Sequence, residues 1–416
     1  MVEHAHPITM NILSRRKHGH VDLTSTSAGN TYRPIWCVDY PLLPHLTGVL
    51  IHFVADKQHD GHVHDRTDIR RETGTSDCPP RISTRLYPRQ WTNRHREPPI
   101  SRRATSMTIR SLTTPQNWLN TPDGREGWAS YFLKQGYTIY LTDQAQRGRS
   151  QWLPGDGQLS LFPIETFEKQ FTGPQNFPSY PQAALHTQWP GTGLADSDPS
   201  FTALYASQVP SQTNATQQAI HNNAAYAALL DKIGPAMVLA HSQGGPFAWK
   251  LADVRPRLVK ALVALEPEGP PFENYAGEPF DPEYIRPAAN RNRPFGLTLL
   301  PLEYDPQVGL EASLLVREDV GAPSANLSSC VRQAVPARRL VNLAEVPVLF
   351  VTAEASYHAV YDHCTVAFLR QAGVGVEVLE LGEVGVHGNG HFMFLELNNI
   401  MIAEMVSAWL DRFAGG

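Results

Sequence analysis

Short, almost unbroken apolar runs recur along the second half of the chain, at residues 236–239, 258–265, 346–351 and 376–381. Runs of this length, rich in Val, Leu and Ala, suit strands buried on both faces. Helix-compatible stretches separate them, at 219–230, 246–251 and 365–371, with a last one at 393–410. A further β-rich run, 137–141, leads to Asp143 and the tight polar turn Arg147-Gly148-Arg149-Ser150. Strands alternating with helices predict an α/β domain with a mostly parallel central sheet and helices on both faces.

One of these junctions carries chemistry. Residues 240–245 read A-H-S-Q-G-G, between the 236–239 strand and the 246–251 helix. A serine at the apex of a sharp strand-to-helix turn is the context that makes G-x-S-x-G a nucleophile elbow, because the turn exposes the hydroxyl and the next backbone N–H can face an oxyanion. Ser242 is the expected nucleophile and the Gln243 N–H an expected oxyanion donor. Ala240 replaces the first glycine, a small residue that still lets the helix pass close to the strand.

A serine hydroxyl needs a base, and in this arrangement the histidine follows it in the chain, with an acid to orient the ring. After the 376–381 strand comes G-V-H-G-N-G-H, offering His387 and His391. His391, at the junction of loop and final helix, has the usual placement of the base. The acid is open on spacing alone, since Glu266 follows the 258–265 strand and Glu354 follows the 346–351 strand. Either could orient the ring.

From about residue 116 to 413 the chain resembles the α/β-hydrolases related to the Alcaligenes-type "713" esterase. The segments that carry the resemblance are Q-N-W-L-N-T-P-D-G-R-E-G-W-A, Y-L-T-D-Q-A-Q-R-G-R-S, H-T-Q-W-P-G-T-G, Y-A-S-Q-V-P, A-H-S-Q-G-G, A-L-E-P, E-A-S-Y-H and H-G-N-G-H-F-M-F-L-E. The resemblance implies an α/β-hydrolase fold with a cap and a serine esterase with a Ser242–His391–Glu266 triad, the acid sitting after the strand that follows the nucleophile helix. Glu354 then becomes a supporting carboxylate beside Tyr357 and His358. Trp118, Trp189, His241 and Phe392 are candidates for substrate contact. Ester, lactone and thioester cleavage and acyl transfer would all use the same residues, and an aspartate-based elbow chemistry is excluded by the serine. No step calls for a cofactor or a metal, and no G-x-G-x-x-G opens a helix after a strand.

Two stretches depart from the strand–helix alternation. Residues 151–210, rich in Pro, Gly, Gln and aromatics, and 269–330, similar in composition, are too long for ordinary connections and are expected to be lid insertions. Trp152, Phe162, Phe167, Phe171, Phe177 and Trp189 would line an acyl or ring pocket or form the lid's own small core. Residues 113–416 thus make the hydrolase domain, and 1–112 an atypical, largely disordered N-terminal region. The histidines of H-D-G-H-V-H-D, His59, His62 and His64, lack a complementary metal-ligand set.

Residues 105–115 stand where the resemblance implies a buried strand ending in an H-G-G or H-G-x-G loop, yet contain neither glycine nor histidine. The central strand and half of the oxyanion hole are therefore in question. Thr113 or Thr114 could donate instead, or the gene model before Thr113 is faulty; the rival to an active enzyme is a catalytically impaired hydrolase-like protein.

Composition adds bounds. With 416 residues, 42% hydrophobic, and a net charge of −5, there is material for one large domain and no reason to invoke nucleic acid or an anionic membrane. No apolar run reaches the roughly 18 residues of a span. The expected partner is a small-molecule ester, with a homodimer as the further arrangement admitted. The opening M-V-E-H-A-H-P has no secretory apolar core, which points to the cytoplasm, whereas relatives of the resembled family are often exported. Cys330 and Cys364 are a disulfide if the protein is exported and buried thiols otherwise.

Overall fold

The apolar runs assemble into one eight-stranded sheet. The structure is a computed structural model and describes residues 10–13, 51–53, 105–109, 116–177, 179–273 and 293–414. The strands are β1 (Met10–Leu13), β2 (Ile51–Phe53), β3 (Thr105–Ile109), β4 (Thr138–Thr142), β5 (Ala236–Ser242), β6 (Val259–Pro267), β7 (Val348–Thr352) and β8 (Val376–Glu380). Across the sheet they run β8-β7-β6-β5-β3-β4-β1-β2. Neighbours are parallel except β1 and β4.

Position β3 corrects one expectation. The strand whose sequence lacks the H-G-G ending is nevertheless present between β4 and β5, with Ile109 opposite Ala240. β-branched Thr105, Thr108 and Ile109 favour extended backbone, and two parallel neighbours supply the hydrogen bonds. Met10–Leu13 and Ile51–Phe53 likewise join the sheet edge. The remaining expectations for the first 112 residues, and those on His59, His62, His64, Thr113 and Thr114, lie outside the described residues.

Strand pleat explains the two cores. Successive side chains point to opposite faces, so Val238 and Ala240 of β5 join one buried cluster and Met237 and Leu239 the other. The longer helices are α1 (Trp128–Lys134), α2 (Pro199–Ala206), α3 (Ala215–Ile233), α4 (Gly244–Val254), α5 (Asp362–Gln371) and α6 (Asn399–Leu410). Tyr226 and Leu230 of α3, Trp249 and Leu251 of α4, and Phe368 and Leu369 of α5 cover the first face. Trp128 and Phe132 of α1 and Ile402 and Val406 of α6 cover the second. The last helix begins at Asn399 and not near Met393, because residues 391–397 form turns that fold the Glu396 carboxylate back onto the Gly390 N–H.

The 151–210 insertion is pinned by Asp198. Its carboxylate caps α2 at the Ser200 N–H (2.7 Å) and accepts from Trp189 Nε1 (2.7 Å) and the Gly193 N–H (2.8 Å). Phe167, Phe171 and Trp189 are buried within the α1/α6 core, while Trp152 and Phe162 stay exposed, at 37% and 36%. In the second insertion a hairpin of Arg317–Val320 and Cys330–Gln333 is tied to α5 by a Cys330–Cys364 disulfide. Among the described residues no helix is long and apolar enough to cross a membrane.

Candidate active site

Ser242 is the last residue of β5, with φ of 54°, and Gln243 has already turned into helical backbone at the start of α4. A residue forced into left-handed backbone between a buried strand and a helix is the strained turn the sequence predicts. Gly245 makes the turn possible: a Cβ there would stand 2.7 Å from Pro267 Cα at the end of β6. The Ser242 carbonyl accepts the Glu268 N–H at 2.8 Å. The Gln243 side chain is held away from the turn, donating to Gln218 Oε1 (3.0 Å) and accepting from Arg147 Nη1 (3.2 Å). Its backbone stays at the N-terminus of α4, where a helix favours negative charge. Burial lowers Arg147 to about 10, so it remains a cation at neutral pH.

His391 and Glu266 meet although they are 125 residues apart: His391 Nδ1 lies 2.6 Å from Glu266 Oε2, both side chains fully buried. Glu266 also accepts the Ala353 N–H at 2.8 Å and the Ser356 hydroxyl at 2.7 Å. Three donors converging on one carboxylate favour its ionised form, but burial is the larger effect and pushes Glu266 up to about 8. Burial, then the neighbouring His241 and His358, hold His391 well below the ordinary imidazole value. With Nδ1–H given to Glu266, Nε2 is the basic atom, and among the described residues it has no hydrogen-bond partner. The two competitors form their own pair: His387 Nδ1 lies 2.9 Å from Glu354 Oε1, and Glu354 Oε2 accepts the Gly388 N–H at 2.9 Å. Glu354 thus braces the loop that leads to His391.

Aromatic rings enclose His391. Phe171 stacks on it at 5.4 Å and His358 at 4.7 Å, with Tyr357 tilted at 5.0 Å. His241, next to Ser242, lies 4.4 Å away and shares a 2.9 Å hydrogen bond from Nε2 to the His391 carbonyl, so the elbow and the histidine loop are joined through one residue. Burial lowers His241 to about 3, which keeps that ring neutral. Phe392 is buried against Phe171 and His241. Trp118 and Trp189, also expected to touch substrate, are set in packing: Trp118 stacks on Phe394 at 4.3 Å, and Trp189 is bonded to Asp198. Ligating atoms of Glu266, His358 and His391 fall within 4.8 Å of one another. Glu266 and both Nδ1 atoms are engaged in hydrogen bonds. A cavity of about 80 Å³ flanks the first turns of α4, lined among others by Gln218, Gln243, Phe247, Lys250, Glu268 and Arg293.

Several residues here escape a reading of the sequence: Ser356, His358 and Asp362 behind the histidine, Arg147 behind Gln243, and His186 with Glu396 behind the loop. Ser356 and His358 lie within E-A-S-Y-H and Arg147 within D-Q-A-Q-R, so the motif boundaries signalled them without saying what they touch.

The strand order, the serine elbow and the helices on both faces define an α/β-hydrolase. No family model matches the sequence. The chain is 49% identical over 299 residues, 72% of its length and 79% of the relative's, to the "Probable secreted lipase phiG" of Fungal sp. (strain ATCC 74256). It belongs to the α/β-hydrolase family of that lipase. Among solved structures it is similar to a novel bacterial esterase, at 20% identity and a TM-score of 0.45 over 76% of this chain and 82% of that one. A monoacylglycerol lipase of Paleococcus ferrophilus matches at 10% identity and a TM-score of 0.35, over 74% and 94%.

Proposed function

We propose that the protein hydrolyses carboxylic esters through an acyl-enzyme on Ser242, with His391 as base and Glu266 as its orienting acid. The observation that carries this is the buried 2.6 Å contact of His391 Nδ1 with Glu266, which leaves Nε2 as the free basic atom beside the elbow. Ser242 Oγ bonds to the ester carbonyl carbon while its proton passes to His391 Nε2. Charge gathers on the carbonyl oxygen, where the Gln243 N–H and the α4 terminus oppose it. Glu266 keeps Nδ1–H aligned and offsets the imidazolium. The bond between the former carbonyl carbon and the alkoxy oxygen then breaks, and Nε2–H protonates the departing alkoxy oxygen. Water repeats the sequence in reverse: it loses a proton to Nε2, attacks the acyl carbon, and the proton returns to Ser242 Oγ as the acid departs.

The experiment is hydrolysis of short and medium p-nitrophenyl esters by the full chain, beside Ser242→Ala, with fluorophosphonate labelling located by peptide mass. Turnover and label both lost in Ser242→Ala are expected. Turnover that survives in the variant, or a label on another residue, overturns the assignment.

The protein then belongs in an oxidising compartment outside the cytosol. Support comes from the Cys330–Cys364 disulfide and from the relative's name as a secreted lipase. Protein recovered from the producing cells with free thiols at both positions would contradict this.

A further inference from the structure

Beside the proposed triad stands a second histidine–carboxylate pair, with aspartate in place of glutamate. His358 Nδ1 lies 3.0 Å from Asp362 Oδ1, and both side chains are buried. The His358 ring is parallel to that of His391, within 8° and with centroids 4.7 Å apart. We propose that His358, held by Asp362, is a positioning residue that supports one face of the His391 ring, so that Nε2 keeps its aim as the proton comes and goes. This rests on His391 being the base.

His358 is fixed from several sides. Its backbone N–H donates to Ser356 Oγ (3.1 Å), whose hydroxyl donates in turn to Glu266, so both pairs share one hydrogen-bonded chain. Asp362 opens α5 and its other oxygen accepts the Thr352 hydroxyl at 2.9 Å, which anchors the pair to the end of β7. Phe171, from the 151–210 insertion, also stacks on His391, at 5.4 Å, so two rings restrain it. In-plane rotation is stopped by Glu266, and tilting by His358 and Phe171.

Charge makes His358 suited to this place. Its ring faces Tyr357 and Tyr361 as well as His391, and Glu266, Glu268, Asp362 and Arg293 act on it electrostatically. Burial dominates, and lowers His358 to about 4. Burial also holds Tyr357 and Tyr361 well above the ordinary phenol range, so both stay neutral. A neutral imidazole offers its electron-rich face to the imidazolium that forms on His391, whereas a second cation there would oppose it. No other described ring stacks on His391 with a carboxylate of its own.

Two variants separate ring from hydrogen bond. His358→Gln keeps a partner for Asp362 without a flat ring, and His358→Phe keeps the flat ring without the partner. With p-nitrophenyl butyrate, His358→Gln should lower kcat by about 100-fold, the scale of a misaimed catalytic group, with KM within about twofold. His358→Phe should recover kcat to within about tenfold of the parent. Fluorophosphonate labelling of Ser242 should slow in the same order, near-UV circular dichroism reporting the folded fraction. Equal kcat in His358→Gln and the parent, or equal loss in both variants of the folded protein, would sink the inference. Loss of activity in Ser242→Ala alongside unchanged His358 variants would leave the triad standing and remove only this proposal; activity retained in Ser242→Ala would remove both.

Discussion

His186 Nε2 lies 2.8 Å from Glu396 Oε1 with both side chains fully buried, which ties the long insertion to the loop that carries His391. Glu396 also accepts from the Gly390 N–H at 2.9 Å and from Asn389 Nδ2 at 2.7 Å, and the N–H groups of Thr187 and Gln188 donate to the Gly388 carbonyl. The glycine at 390 is required sterically, since a Cβ there would stand 2.9 Å from His186 Nε2 and 3.1 Å from Glu396 Oε1. The loop before His391 is therefore shaped by a carboxylate behind it and by a segment more than 150 residues away.

Replacing that carboxylate should loosen the loop. In Glu396→Gln one oxygen becomes an amide donor that faces existing donors, and a buried unsatisfied group costs about 1–3 kcal/mol. Thermal melts should show a loss of that size, and kcat for ester hydrolysis should fall further than the folded fraction accounts for. A variant with the parent's melting temperature and kcat would show that the pair contributes nothing to the loop.

The strand–elbow–helix unit around Ser242 is legible in the sequence because every determinant is local: an apolar strand, small residues at 240, 244 and 245, then a helix. The acid is half legible. Glu266 and Glu354 both follow strands, and only the fold shows that the first is buried under His391 and the second lies near the surface with His387. Strand β3 is misread because a central parallel strand is expected to be apolar and to end in glycine, while Thr105-Ser106-Met107-Thr108-Ile109 takes the position through backbone pairing with β4 and β5. His358 with Asp362 and His186 with Glu396 are legible only in part, since His358, His186 and Glu396 fall within motif segments that do not say what they touch. Their meaning lies in which ring or loop they meet, and no spacing along the chain encodes that meeting.

Activity should rise with pH through the titration of the Glu266–His391 pair. The form competent as base has Glu266 ionised and His391 neutral, one proton fewer than the form with the proton retained, so deprotonation switches activity on. Burial pushes Glu266 up to about 8, and the apparent value belongs to the pair. Ser356→Ala removes a hydroxyl that donates to the charged carboxylate at 2.7 Å. Losing such a donor disfavours the ionised form. A hydrogen bond to a charged group contributes about 1.5–3 kcal/mol, so the acid limb of kcat/KM should move upward by about one pH unit or more. A limb that stays in place, or moves down, would show that Ser356 does not act on the pair.

The disulfide should be a stabilising element that leaves the chemistry intact. Cys330 and Cys364 are 34 residues apart in sequence, and closing a loop of that size constrains the unfolded chain by about 3–4 kcal/mol. The double variant Cys330→Ala/Cys364→Ala should lose stability of that order in urea unfolding, while KM for a short ester stays within about twofold. Stability equal to the parent's would show that the hairpin is held to α5 by its other contacts alone.

Gly245→Ala tests the elbow without touching a reacting group. The added methyl would meet Pro267 Cβ and lie 2.7 Å from Pro267 Cα, one residue beyond Glu266. Relief requires α4 to move away from the end of β6, and because β5, α4 and β6 are all buried there, the displacement cannot be absorbed by a flexible side chain. Overpacking of this kind costs about 1–3 kcal/mol. The displacement also acts along the line that sets Ser242 against His391, since the Ser242 carbonyl is bonded to the Glu268 N–H immediately after Pro267. The variant should therefore lose both melting temperature and kcat, with KM changed less than kcat, and fluorophosphonate labelling should slow in step. A Gly245→Ala protein with the parent's kcat would mean that the turn can relax without moving the serine, and the close approach of α4 to β6 would then have no part in aiming it.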